Sequence, residues 1–277
     1  MATRSVTYVA RLSLLSSAWL AAAAPSLAQS ACPRGALPAY AHNDYINPSP
    51  LHDALALGFV GVEADVFLVN GVLRLGHERR AAERGTAFEA QYLEPLRSLV
   101  ARCGSLTVSG RPFLLNVELK EKDPAAFDTL MVLLARYANM FTTVGREHDA
   151  PVIQVVLVGW SPSDAVPGPS VAWGRQARLR RDDERALETT DPTVRLISLD
   201  YGKTMGRWWV TPGKRKRWLA TIRATRDAFP AQRIRAYDVP VKERVYRELL
   251  GAGVDLIGSV RLERSAQLLH AIADSTR

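Results

Sequence analysis

The chain has 277 residues, of which 47% are hydrophobic and 23% charged, with a formal net charge of +8. That length and apolar content suit one large α/β domain or two small ones with a well-buried core, which excludes a largely disordered chain. The positive charge favours anionic partners such as phospholipid headgroups and acidic metabolites, whereas nucleic acid is a poor candidate because no recognised binding motif accompanies the charge.

Residues 1–28 read as a cleaved secretory signal. Arg4 and Arg11 lead into an apolar run over 12–24, and Ser26-Leu27-Ala28 follows as a small-x-small cleavage pattern. The run falls short of the roughly 20 residues that span a bilayer, so a retained anchor is the weaker reading. The expectation is an exported protein, periplasmic or secreted, with one domain over residues 29–277. Cys32 and Cys103 are the only cysteines. In an oxidising compartment they read as a disulfide tying the mature N-terminus to the second helix. Lipidation of Cys32 is disfavoured, because Gln29-Ser30-Ala31 lacks the leucine usual three positions upstream.

Beyond the leader, apolar stretches at 37–42, 59–69, 113–119, 152–158, 170–173, 194–200, 233–237 and 254–258 predict strands. Helical patterns at 50–57, 94–101, 125–137, 217–228, 243–250 and 262–273 fall between or after them. Strands alternating with helices over this length predict a single (β/α)8 TIM-like barrel. Asn70-Gly71 between two apolar runs predicts a hairpin that pairs Val69 with Val72. The return arm then brings Gly76 and His77 level with Asp65 and Ala64.

Strand alternation puts Glu63 and Asp65 on one face, and Asn116, Glu118 and Lys120 on one face of the next strand but one in the chain. Glu63, Asp65 and Glu118 therefore converge at one barrel mouth as three hard oxygen donors, a set suited to Mg²⁺ or Ca²⁺. The alternative is that they pair with Lys120 and nearby arginines as structural ions. His42 ends the first strand and His77 follows the hairpin, so two imidazoles flank the carboxylates as a candidate acid and base. Lys120 sits where an ammonium would neutralise a phosphate oxygen, its alternative being a salt bridge to Glu118.

These residues resemble a known family. His42, the Glu63-x-Asp65 pair, Gly76-His77 and Asn116-Val117-Glu118-Leu119-Lys120 are similar to the pattern of glycerophosphodiester phosphodiesterases and related phospholipase-C-like barrels. The strings His42-Asn43-Asp44-Tyr45, Pro50-Leu51-His52-Asp53-Ala54-Leu55 and Arg235-Ala236-Tyr237-Asp238-Val239-Pro240 resemble more closely the branch named for altered inheritance of mitochondria protein 6. The resemblance implies a divalent metal on Glu63, Asp65 and Glu118, His42 and His77 as the acid/base pair, and Lys120 and Asn43 at the substrate phosphate. It implies a small-molecule or lipid phosphodiester as substrate. The pattern departs from the better-known diesterases at Asn43 and Asp44, where those carry Arg and Gly, and at Val260, where they carry an acidic residue.

Other features carry less. His52, His148 and His270 read as structural or solvated. The run Lys214-Arg215-Lys216-Arg217 before Trp218 could rest peripherally on an anionic membrane, though such a run is more often a solvated face. Trp208 and Trp209 read as groove or core residues. Two rivals to a phosphodiesterase are a glycosidase using two of the carboxylates, and a degenerate barrel that binds a phospholipid or sugar phosphate without turnover.

Overall fold

The computed structural model describes residues 32–141, 152–168, 171–179, 187, 191–205 and 211–275. The leader 1–28, His148, Ser170, Trp208 and Trp209 lie outside the described residues. In chain order the elements are β1 (Ala39–Ala41), α1 (His52–Ala56), β2 (Gly61–Val69), β3 (Val72–Leu75), α2 (Arg79–Ala82), α3 (Glu94–Cys103) and β4 (Phe113–Leu119). They continue as α4 (Pro124–Arg136), β5 (Ile153–Gly159), β6 (Gly174–Leu179), β7 (Val194–Asp200), α5 (Tyr201–Met205), α6 (Pro212–Ala228), β8 (Arg233–Tyr237), α7 (Glu243–Gly251), β9 (Leu256–Ser259) and α8 (Leu262–Asp274).

Eight of the strands pair in parallel in the order β1, β9, β8, β7, β6, β5, β4, β2, and β1 pairs again with β2 to close the barrel. The TIM-barrel expectation is borne out. The side chains divide by strand alternation. Outward positions such as Val62, Ala64, Leu115, Val117 and Ile197 join the helices in the main core. Tyr40, Leu114, Val156, Leu196 and Leu256 form a smaller apolar layer across the barrel interior. Above that layer the inward positions turn polar, which places the chemistry at the mouth formed by the strands' C-terminal ends.

The hairpin forms in the expected register, Val69 opposite Val72 and Val66 opposite Leu75. Asn70 and Gly71 both take positive φ, 50° and 76°, as the tight turn between twisted strands requires. Gly76 follows with its N–H on the Asp65 carbonyl at 3.1 Å. A Cβ there would lie 2.5 Å from the Ala82 backbone nitrogen, so only glycine lets the chain turn against α2 at this point.

The fifth barrel strand is the one misplaced element. It was expected at 170–173 and runs instead over Gly174–Leu179. Val171, Ala172 and Trp173 are buried, but before the strand, and Trp173 packs edge-on against Phe127 at 6.0 Å. The strand itself carries Gln176 and Arg178 between Gly174 and Leu179, and Gln176 reaches into the barrel, so its inner face has no apolar signature. Helix α6 starts earlier than expected, where Thr211 caps it by accepting from the Lys214 N–H and Pro212 fills the first turn.

Cys32 and Cys103 form a disulfide with Cα atoms 5.5 Å apart, joining the segment before β1 to the end of α3. Trp218 is wholly buried and Arg215 is paired with Glu248. Among the described residues no helix is long and apolar enough to cross a membrane.

Candidate active site

Glu63 and Asp65 come from β2 and Glu118 from β4, with Asp65 and Glu118 directly paired in the strand register. One ligand atom from each lies within 4.8 Å of the others. Glu63 and Asp65 are buried and Glu118 partly so. Burial, and then the charge of Asp65, raises the Glu118 pKa above the ordinary carboxylate range. Three carboxylates crowded in this way favour any cation that can sit between them.

Two protein cations already approach them. Arg235, on β8, donates from Nη1 to Glu63 Oε2 at 3.0 Å and from Nη2 to Glu63 Oε1 at 3.4 Å, and both side chains are only 2% exposed. Its guanidinium also donates to Ser198 and Gln176, and lies 4.9 Å from the Tyr40 ring centre and 5.2 Å from that of Tyr237. Lys120 Nζ lies 3.2 Å from Asp65 Oδ2 and 3.6 Å from Glu118 Oε1. Both of the alternatives left open for the carboxylates are thus present together: they cluster, and they are paired.

Asp65 shows how the cluster is arranged. Its Oδ2 receives the Tyr45 hydroxyl at 2.9 Å, His77 Nδ1 at 3.0 Å and Lys120 Nζ at 3.2 Å. Its Oδ1 is buried and, among the described residues, has no hydrogen-bond partner. A buried carboxylate oxygen left bare, beside two further carboxylates, fits a metal ligand. Glu63, Asp65 and Glu118 are therefore the residues that would hold a divalent ion.

His42 stands at the other side of the cluster, with Nε2 3.8 Å from Glu63 Oε2. Burial depresses its pKa, outweighing the opposing effect of Glu63, which favours the neutral imidazole. His77 is 63% exposed on its side chain and, among the described residues, is anchored through Asp65 and, at 3.5 Å, Tyr45. Asn43 follows His42 in a left-handed conformation with φ 51°, and its side chain makes no capping bond. His52 begins α1 and His270 is exposed on α8, away from this cluster.

Residues 33–110 match the family model described as the AIM6-like phosphodiesterase domain. The resemblance read from the sequence is borne out. The AIM6-like segment contains His42, Glu63, Asp65 and His77, while Glu118, Lys120 and Arg235 lie beyond its end. The chain is 26% identical over 145 residues to an altered inheritance of mitochondria protein 6 homolog of Arthroderma benhamiae, covering 44% of this chain and 46% of that protein. It is 29% identical over 153 residues to altered inheritance of mitochondria protein 6 of Eremothecium gossypii, covering 47% of this chain and 39% of that protein. The matches thus span less than half the length of either relative. Among solved structures, glycerophosphodiester phosphodiesterase from Agrobacterium tumefaciens str. C58 superposes with a TM-score of 0.52 at 16% identity, covering 84% of this chain and 100% of that one. That likeness shows the fold.

Sequence reading gave no role to Arg235, Tyr45 or Asp44. The signal for Arg235 was its place mid-strand between Arg233 and Tyr237, where an inward charge needs a partner across the barrel. Asp44 is buried and accepts from the Leu51 N–H at 2.6 Å, the Tyr92 hydroxyl at 2.9 Å and Asn47 Nδ2 at 3.1 Å, so it organises the loop that carries His42, Asn43 and Tyr45.

Breaking the buried pair with Arg235→Met should cost about 3–5 kcal/mol in urea unfolding with EDTA present, because Glu63 is left buried and alone. Arg235→Met with Glu63→Gln should recover part of that loss, and a single-variant cost below about 1 kcal/mol would contradict the pairing. Burial pushes the Asp44 pKa up to about 6, its three hydrogen bonds offsetting only part of the effect. With the folded value above the unfolded one, the stability linked to protonated Asp44 is present below about pH 4 and lost as pH rises through about 6. Thermal melts of the parent should therefore lose stability relative to Asp44→Asn between those pH values, by about 3 kcal/mol at most.

Proposed function

We propose that this protein is an exported, divalent-metal-dependent phosphodiesterase acting on a glycerophosphodiester or phospholipid-type diester, with Mg²⁺ or Ca²⁺ as the ion. The observation that carries this reading is the bare, buried Oδ1 of Asp65 within a cluster of three carboxylates flanked by two histidines. Charge supports it. Glu63, Asp65 and Glu118 against Arg235 and Lys120 leave one negative charge; a divalent ion makes this one positive, and a singly charged diester brings it to neutrality. The AIM6-like match over residues 33–110 agrees with it.

The chemistry supplied by a divalent ion bound there is stabilisation of the charge that develops on a non-bridging phosphate oxygen. His42, kept neutral by burial, accepts the proton of the attacking hydroxyl, from water or from the substrate itself. In its imidazolium form His77 donates from Nδ1 to Asp65 and gives its second proton, from Nε2, to the departing alcohol, becoming the neutral imidazole. Lys120 has three N–H donors for two carboxylate contacts, leaving one for the phosphate, and Asn43, which follows His42 in the chain, is assigned to the same phosphate. The exported location rests on the leader pattern and is supported by the Cys32–Cys103 disulfide.

Hydrolysis of bis-p-nitrophenyl phosphate tests the class. Activity should require Mg²⁺ or Ca²⁺, vanish in EDTA and fall about 10²- to 10⁴-fold in His42→Ala. Hydrolysis that survives both chelation and the His42 substitution would overturn the reading.

A further inference from the structure

A cavity of about 540 Å³ opens beside His42, walled by the loops that follow β8 and β9 and by the start of α5. Tyr201, Asp238, Lys242, Ser259 and Arg261 are among its lining residues. His42 belongs to both this cavity and the carboxylate cluster, since its Nε2 is 3.8 Å from Glu63 while its ring stands edge-on to Tyr237 at 5.5 Å. An ester group whose oxygen is served by His42 has room to extend here, away from the carboxylates. Val260, at the position where the better-known diesterases carry an acid, lies exposed on the same wall and adds no charge to it.

Lys242 and Arg261 are unexpected where they stand. Each occupies the cap position at the start of a helix, Lys242 for α7 and Arg261 for α8. The positive end of the helix dipole faces each of them, which disfavours a cation. Among the described residues neither has a carboxylate within ion-pair distance, whereas Arg244 and Arg247, farther along α7, bond Glu248 and Glu243. Ser259 is already engaged, accepting from the Arg261 N–H and the Ser265 hydroxyl. Among the described residues Asp238 is the only carboxylate of the lining, against the two cations Lys242 and Arg261. Both side chains are solvent-exposed on the cavity wall, where they are the cationic groups that would bond an anion entering it.

We propose that this cavity is the subsite for one alcohol of the diester, and that Lys242 and Arg261 select an alcohol bearing a second anionic group, a phosphate or carboxylate. The proposal rests on the phosphodiesterase reading above.

The test compares glycerophosphoinositol with glycerophosphoinositol 4-phosphate, which differ by one phosphate on the alcohol. The ratio of their kcat/KM values should favour the phosphorylated diester by about tenfold or more, and should fall toward one in Lys242→Ala/Arg261→Ala. Equal rates in the parent, or a preference that survives the double substitution, would overturn the proposal. If neither diester is cleaved, calorimetric binding of the two to the parent chain in EDTA decides independently of turnover. Tighter binding of the phosphorylated compound that the double substitution abolishes supports the subsite, and equal or absent binding overturns it.

Discussion

The ion pair between Arg235 and Glu63 is the constraint on which the site depends. A closed barrel puts every second side chain of each strand into a shared interior, and three carboxylates on two neighbouring strands would repel one another there. Arg235 reaches across from β8 and takes both oxygens of Glu63, while Ser198, Gln176 and two tyrosine rings fix the guanidinium in place. A buried pair of this kind is weak evidence for net stability, since desolvation offsets much of its attraction. Its effect is on geometry: it fixes which way Glu63 points, and so how the carboxylates face His42 and one another.

Asp65 is organised on a second principle, division of labour between its oxygens. Three donors converge on Oδ2, and they come from the β1–α1 loop, the hairpin arm and the strand end after β4. The loop is held in turn by Asp44, and the arm by the turn at Asn70-Gly71. Residues far apart in the chain are thus brought to one atom, leaving Oδ1 for a ligand.

The fold was largely readable because period-two alternation and helical segments are local signals. Three strands, 113–119, 194–200 and 233–237, fall where the apolar pattern puts them, and the hairpin register follows from two turn residues. The convergence of Glu63, Asp65, Glu118 and Lys120 was readable for the same reason. The fifth barrel strand was not, because its inward residues are polar and the strongest apolar run lies just before it. The role of Arg235 was not readable either. Its partner is 172 positions away in the chain, and nothing local distinguishes an arginine that crosses a barrel from one that faces water.

The most direct measurement is a crystal structure of the chain grown with Mn²⁺, read by anomalous scattering. A single peak among Glu63, Asp65 and Glu118, within bonding distance of Asp65 Oδ1 and with the Arg235–Glu63 pair intact, is the result predicted. No peak there at saturating Mn²⁺, or a peak held by other residues, would contradict the metal site and the chemistry built on it.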